Sequence, residues 1–453
     1  MLDLTAQLGL RGQSSRRELV AAVATAFPEA ARPAGFEAAE RLWARGGREA
    51  AVDRLLSIDP AAYGRTRNHV DGAVTKLSPW LRHGVLALAE VRDMALARVA
   101  RVEEAASLVS ELGWRDYWRR VQVALGGRLG AAVEPPARAG RLPPVDHVPE
   151  DVLAARTGMA CIDAFVTRLH ATGWLHNHER MWLASWLVHM RGVRWQAGAD
   201  WMLSHLLDGD PASNHLSWQW VAGTFAAKPY IFNRENLETF TAAAHCRHCP
   251  VFGGCDMEGS YEDLTARLFT ADAPPRGPLR IRPAAAGPAW PVATPRRPLV
   301  WLTLDSVAVT SPAVVAYPHA PRLFVVDPEW LATERPSLTR LVFLGECLAD
   351  VPGVEIWFGD PRTVVPARAA AHGCDGAVVA ETPCPRVRAA AAAIRNADPA
   401  ADRPDAVALP VAVVPWPQFC DASRVTDLGR FSRYWSQVSR SALEPTRSAS
   451  PLA

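Results

Sequence analysis

Residues 172–233 read TGWLHNHERMWLASWLVHMRGVRWQAGADWMLSHLLDGDPASNHLSWQWVAGTFAAKPYIFN. Seven of the chain's 17 tryptophans fall here: Trp174, Trp182, Trp186, Trp195, Trp201, Trp218 and Trp220. Apolar residues recur at steps of three and four, the period of helices with a buried face. Asn177, Arg180, Asp208, Asp210 and Asn214 interrupt that face. A buried charge or amide is costly without a partner, and a polar, planar ligand held between helices would supply one. Tryptophans filling a core around a structural Arg180/Asp208 ion pair are the alternative reading of the same residues.

HNHERM (176–181), LLDGD (206–210), the Asn214 four residues before WQW (218–220), and KPYIFN (228–233) together resemble the flavin-binding helical domain of the DNA photolyase and cryptochrome family, in its order and at its spacing. The resemblance implies FAD as cofactor, with Asn177, Arg180, Asp208, Asp210 and Asn214 around the isoalloxazine, and Met181 and Trp220 in the wall of a substrate pocket. It implies Trp218 and Trp195 as electron-relay residues. A third, surface-exposed relay tryptophan has no counterpart between Trp118 and Trp174.

Outward from that stretch, the pattern is helical to the N-terminus. Met1 to about Ala31 reads as one amphipathic helix, 35–58 (GFEAAERLWARGGREAAVDRLLSI) as strongly helical, and 75–91 as a helix whose first turn holds Pro79. Thr75, Leu77 and Ser78 stand just before that proline, where free backbone N–H groups and hydroxyls suit either a plain cap or a diphosphate. By resemblance they hold the flavin's phosphates together with Tyr63. In ELGWRD (111–116), Glu111 and Trp114 share a helix face. On pattern alone they are structural; the resemblance puts them over the flavin, with the acid bonding a flipped pyrimidine dimer, the indole stacking on it, and Arg115 beside the cofactor.

Cys246, Cys249 and Cys255 form a C-x-x-C-x5-C set, a metal-ligand spacing. Cys161, in TGMACIDA, is the fourth candidate because the iron-sulfur branch of the family places a cluster cysteine in that motif. A [4Fe-4S] cluster is expected, with zinc as the alternative, to which His245 or His248 would contribute. The other four of the 8 cysteines are scattered.

After Thr270 a run of Pro, Gly and Ala marks a linker, and then LVWLTLD, RLFVVDP, VEIWFGD and GAVVAE alternate with helical segments. That is the layout of a small doubly wound parallel sheet. FLGECLAD, FGDPRTVVPARAAAHGCDGAVV and RFSRYW resemble the photolyase antenna domain, which in the family comes first; its position here implies a circularly permuted order and an antenna pigment of unknown identity. The expected organisation is a mainly α-helical FAD-binding domain at 1–270, a linker at 271–297, an α/β doubly wound, antenna-like domain at 298–436 and a disordered tail at 437–453.

Net charge is only +2 over 453 residues, so the whole molecule is no general magnet for nucleic acid. Hydrophobic content of 49% with 21% charged residues suits an ordinary globular protein. Neither a cleavable signal pattern nor an apolar run of spanning length is read, so a cytoplasmic, membrane-free monomer is expected. The implied activity is light-dependent repair of pyrimidine dimers in damaged DNA, cyclobutane dimers in preference to (6-4) photoproducts. The alternative is a cryptochrome-type blue-light photoreceptor.

Overall fold

Runs such as PLVWL and GAVVA are apolar at every position because they form strands covered on both faces. The computed structural model describes residues 1–8, 15–31, 33–272, 277–284, 294–397 and 408–444. Its main sheet has the order Leu2–Asp3, Val354–Phe358, Arg322–Val326, Pro298–Leu302, Gly376–Ala380, Val411–Val414. The last five strands are parallel to their neighbours, and Leu2–Asp3 runs antiparallel at the edge, Leu2 opposite Phe358. Alternation along the strands sorts two cores. Val300, Leu302, Phe324 and Val326 face a core shared with the N-terminal helices. Leu299, Trp301, Leu323 and Val325 face another, built with Val364, Val365 and Ile394 of the helices Pro361–Ala371 and Pro385–Arg395. All four expected strands are present; Val411–Val414 and Leu2–Asp3 are additional.

The N-terminus departs from the single helix expected for Met1–Ala31. Leu2–Asp3 is a strand, and the helix is Arg16–Ala26, closed by a capping box between Ser15 and Glu18. The intervening residues 9–14 lie outside the described set. Pairing with a sheet more than 350 residues away overrides local period, because the edge of that sheet offers free backbone groups.

Two other expected helices are broken at glycines. Residues 35–58 divide into Pro33–Glu40 and Arg48–Leu56 around Gly46, where a Cβ would stand 2.6 Å from the Phe343 carbonyl. Residues 75–91 divide after Ser78–Arg82, at Gly84, which has φ +66 and approaches the Asp305 carbonyl so closely that a Cβ would be 2.1 Å away. At both sites the backbone runs against the sheet-bearing part of the chain, and only glycine permits it.

Part of the expected linker is packed. Phe269–Asp272 pairs with Arg138–Gly140, and Ile281 sits in the shared core with its carbonyl accepting from Leu428 N–H at 2.7 Å. The expected tail at 437–453 overlaps the helix Phe431–Ala442, which is continuous and buries Tyr434 and Val438. Residues 445–453 lie outside the described set. No helix among the described residues is long and apolar enough to cross a membrane.

Candidate functional site

Four helices enclose a cavity of about 500 Å3: Ala106–Leu125, Asn177–Ser185, Trp195–His205 and Pro211–Ala222. Their local sequence explains their mutual placement. Asp210 caps the last, accepting from Ala212 N–H at 2.9 Å and Ser213 N–H at 3.4 Å, and Pro211 fits its first turn. Asn177–Ser185 is capped by the His176 ring and passes into a π-helical turn, Trp186–Met190. Gly198 lets the Trp218 indole lie against its helix, since a Cβ there would be 2.3 Å from the ring.

Glu111, Trp114, Arg115, Asn177, Arg180, Met181, Asp208, Asp210, Asn214, Trp218 and Trp220 all line this cavity. Arg180 Nη2 meets Asp208 Oδ2 at 2.9 Å and its Nε donates to the Leu175 carbonyl at 3.0 Å. Arg115 Nη2 lies 3.1 Å from Asp210 Oδ2. Asn214 Nδ2 donates to the Ala199 carbonyl at 2.8 Å, and Asn177 Nδ2 reaches Met181 Sδ at 3.3 Å. Burial opposes charge on Asp210, but Arg115, Arg82 and Arg119 outweigh it and hold the carboxyl below its ordinary range. Burial pushes the Arg115 guanidinium down, with Asp210 acting against it.

Several polar atoms of the wall are buried with no hydrogen-bond partner: Asp208 Oδ1, Ser213 Oγ and Arg115 Nε. Native interiors rarely leave such atoms unsatisfied. Acceptors and donors converging on an apolar-walled space fit a planar ligand with alternating donors and acceptors at its edge, which is what a flavin ring offers.

Five of the residues expected to serve the flavin do not line the cavity. Tyr63 lies at its margin, where burial, then Glu111, raise the phenol's pKa and Arg67 opposes them. Thr75 uses its carbonyl to accept from Arg54 Nε at 2.6 Å, Leu77 is buried, and Ser78 opens the short helix Ser78–Arg82. Trp195 heads its own helix, edge-on to the His215 ring at 6.2 Å.

Sequence reasoning missed Arg67, Asn68, Trp118, His178, Ser213 and Ser217, all in the wall. Ser213 and Ser217 are four residues apart on the face that carries Asn214, so helical spacing carried a signal for them. Arg67 had none. Its Nη1 donates to Glu111 Oε1 at 2.7 Å across the mouth, each side chain about a third exposed at 32%. Burial raises the Glu111 pKa and Arg67 opposes the rise. Trp114 stacks on Phe431 of the C-terminal helix, centroids 3.8 Å apart and planes 13° from parallel.

The cysteines Cys161, Cys246, Cys249 and Cys255 are all free and lie near one another. Burial first, then Cys246, Cys249 and Cys255, push the Cys161 thiol up to about 12. Among the described residues no group of three or more His, Cys, Asp or Glu side chains is arranged to hold a metal ion. The His245 ring packs edge-on to Phe165.

Residues 108–244 match the family model described as the FAD binding domain of DNA photolyase. Over those residues the chain is similar to that flavin-binding domain. A deoxyribodipyrimidine photo-lyase of Streptomyces griseus is 35% identical over 191 residues, 40% of this chain and 40% of that protein. A chloroplastic/mitochondrial cryptochrome DASH of Oryza sativa subsp. japonica is 33% identical over 189 residues, 39% of this chain and 32% of that protein. The matches thus cover between a third and two fifths of the relatives' length. A solved cryptochrome structure from Synechocystis sp. covers 46% of each chain at 28% identity with a TM-score of 0.41.

Proposed function

We propose that the chain is a light-dependent lyase that binds FAD in the helical cavity and splits pyrimidine dimers in damaged DNA, cyclobutane dimers before (6-4) photoproducts. The observation that carries the reading is the gathering of Glu111, Trp114, Met181 and Trp220 around the same cavity that Arg180, Asp208 and Asn214 line. When bound and reduced, FAD supplies on blue-light excitation an electron able to open the cyclobutane ring. The chain's residues do the rest. Trp114 and Trp220 offer aromatic faces to the two joined pyrimidines of a lesion turned out of the duplex. Glu111, its pKa raised by burial, can hold a proton toward a lesion carbonyl and stabilise charge arriving there. Arg180 holds Asp208 through Oδ2, while Asp208 Oδ1 remains free for a ring donor.

Tyr63, Thr75, Leu77 and Ser78 are assigned to the diphosphate end of the same cofactor, and Trp218 with Trp195 to its resupply with electrons. The four cysteines are assigned, on their spacing and the resemblance, to an iron-sulfur cluster, with zinc as the alternative. The α/β sheet is read as an antenna-like domain placed after the helical one.

The decisive experiment is dimer loss per absorbed photon on a thymine-dimer oligonucleotide, using protein whose flavin has been reduced beforehand. A blue-light photoreceptor without repair is the second reading, favoured by the cryptochrome names among the relatives and by the partners that Glu111 and Trp114 already have in Arg67 and Phe431. Repair of neither dimer type under those conditions would select it.

A further inference from the structure

The loop Asp208–Asp210 is held from outside the cavity by two buried arginines. Arg82 Nε donates to the Gly209 carbonyl at 2.8 Å, and Arg340 Nη2 donates to the same oxygen at 2.9 Å. Both side chains are fully enclosed, 5% and 1% exposed. Arg340 comes from the helix Leu338–Ala349 of the sheet-bearing part, is paired with Glu334 at 2.6 Å, and packs so close that a Cβ on Gly209 would stand 2.7 Å from its guanidinium carbon. Arg82 is anchored to Asp305, just past the strand Pro298–Leu302, at 2.5 Å; Thr382 holds the other oxygen of that carboxylate at 2.5 Å. Between them the His83 ring spans the Leu304 and Leu207 carbonyls at 3.1 and 3.3 Å.

These same groups stand where the sheet would otherwise take a ligand. In open parallel sheets, ligands sit beyond the carboxyl ends of the strands, at the point where strand order reverses. Here that point lies between Pro298–Leu302 and its two neighbours, Arg322–Val326 and Gly376–Ala380. The crevice there measures about 60 Å3 and is lined by Arg82, Asp305, Asp210, Trp301 and Trp330. Small-molecule sites span roughly 300–1,000 Å3. A bicyclic or tricyclic pigment does not fit among these side chains as they stand. The antenna pigment implied by resemblance is therefore not matched by the residues at this crevice.

We propose that Arg82 and Arg340 make the sheet-bearing part a clamp that positions Asp208 and Asp210 toward the flavin cavity, and that the clamp closes the sheet's own crevice to a second chromophore. The positioning half rests on the FAD reading above; the closed crevice does not.

The test uses the full chain. Wild-type protein is titrated with FAD, and the loaded protein then with FMN and with a folate, by calorimetry and absorption. One FAD per chain and no saturable FMN or folate binding is expected. A saturable second site that Val387→Trp, which fills the crevice, abolishes would overturn the closure. For the clamp, Arg340→Gln is expected to weaken FAD binding by about tenfold or more and to alter the vibronic structure of the bound flavin's blue absorption band, with far-ultraviolet circular dichroism unchanged. Glu334→Gln, which keeps the arginine but removes its counter-ion, should give the same spectral change in smaller measure and serves if Arg340→Gln does not fold. Unchanged affinity and spectrum in a folded variant overturns the clamp. If wild-type protein takes no FAD at all, the cofactor reading fails, while the FMN and folate titrations still decide the crevice.

Discussion

Arg67 Nη1 and Glu111 Oε1 are joined at 2.7 Å across the mouth of the helical cavity, linking residues 44 apart in sequence. Arg67 lowers the Glu111 pKa against the upward push of burial. Replacing it with Met should raise that pKa further, so any light-driven step that needs the protonated acid persists to higher pH. The measurement is repair quantum yield against pH; an unmoved alkaline limb removes the acid from the mechanism. Because both groups are a third exposed, the stability cost should stay within about 1 kcal/mol.

Arg180→Ala leaves Asp208, only 5% exposed in its side chain, without its cation. Removing one partner of a buried pair costs about 3–5 kcal/mol, but Arg180 is a quarter exposed, so about 1–3 kcal/mol is expected. Flavin occupancy should fall with it. Full occupancy together with an unchanged melting temperature would rule out the pocket assignment.

Trp114 is expected to matter twice. Its Ala variant should lose about 0.5–1.5 kcal/mol of aromatic pairing with Phe431 and weaken damaged-DNA binding by about 1–3 kcal/mol. Phe431→Leu separates the two effects, since it lowers stability and leaves the indole in place. If both variants bind an irradiated oligonucleotide equally poorly, the stacking role of Trp114 is wrong.

Anaerobic purification should yield protein containing iron and acid-labile sulfide, lost in Cys161→Ser. The flavin site, which lies on other helices, should be unaffected by that change. Metal-free wild-type protein with four titratable thiols would return these cysteines to a structural role.

His176 and His189 both lie buried with pKa values pushed down to about 4, first by burial. His176 accepts from His178 N–H through Nδ1 at 3.1 Å and faces the Arg67 carbonyl through Nε2 at 2.9 Å, an arrangement made for the neutral ring. In the unfolded chain a histidine protonates near 6.5, so between about 6.5 and 4 the unfolded state binds more protons. The contribution of these rings is therefore complete above about 6.5 and is lost as pH falls toward 4, on the order of a few kcal/mol for the pair. Denaturant midpoints measured across that range should decline, and His189→Gln should flatten the slope.

The helices and the sheet strands were legible because their apolar period survives in local sequence: the tryptophans of WLASW stand four residues apart, a helical step, and LVWL and AVVA are continuous runs. The cavity was legible for a related reason. Arg180, Asp208, Asp210 and Asn214 are charges and amides set inside apolar helices, and such residues need partners wherever they occur. Eleven of the sequence-predicted residues line one wall system.

What sequence alone determined, then, was the identity of the elements and the residues that must not be left unpaired in them. Which partners those residues take was decided by tertiary structure. Leu2–Asp3 joins a sheet more than 350 residues away, Glu111 meets Arg67, Trp114 meets Phe431, and Gly209 receives two arginines from opposite sides. None of these pairs has a spacing that a period of two or 3.6 can express. They arise because separate segments are brought together by burial of a shared core, and burial, being non-directional, leaves the choice of contact to the shapes and charges that finally face each other.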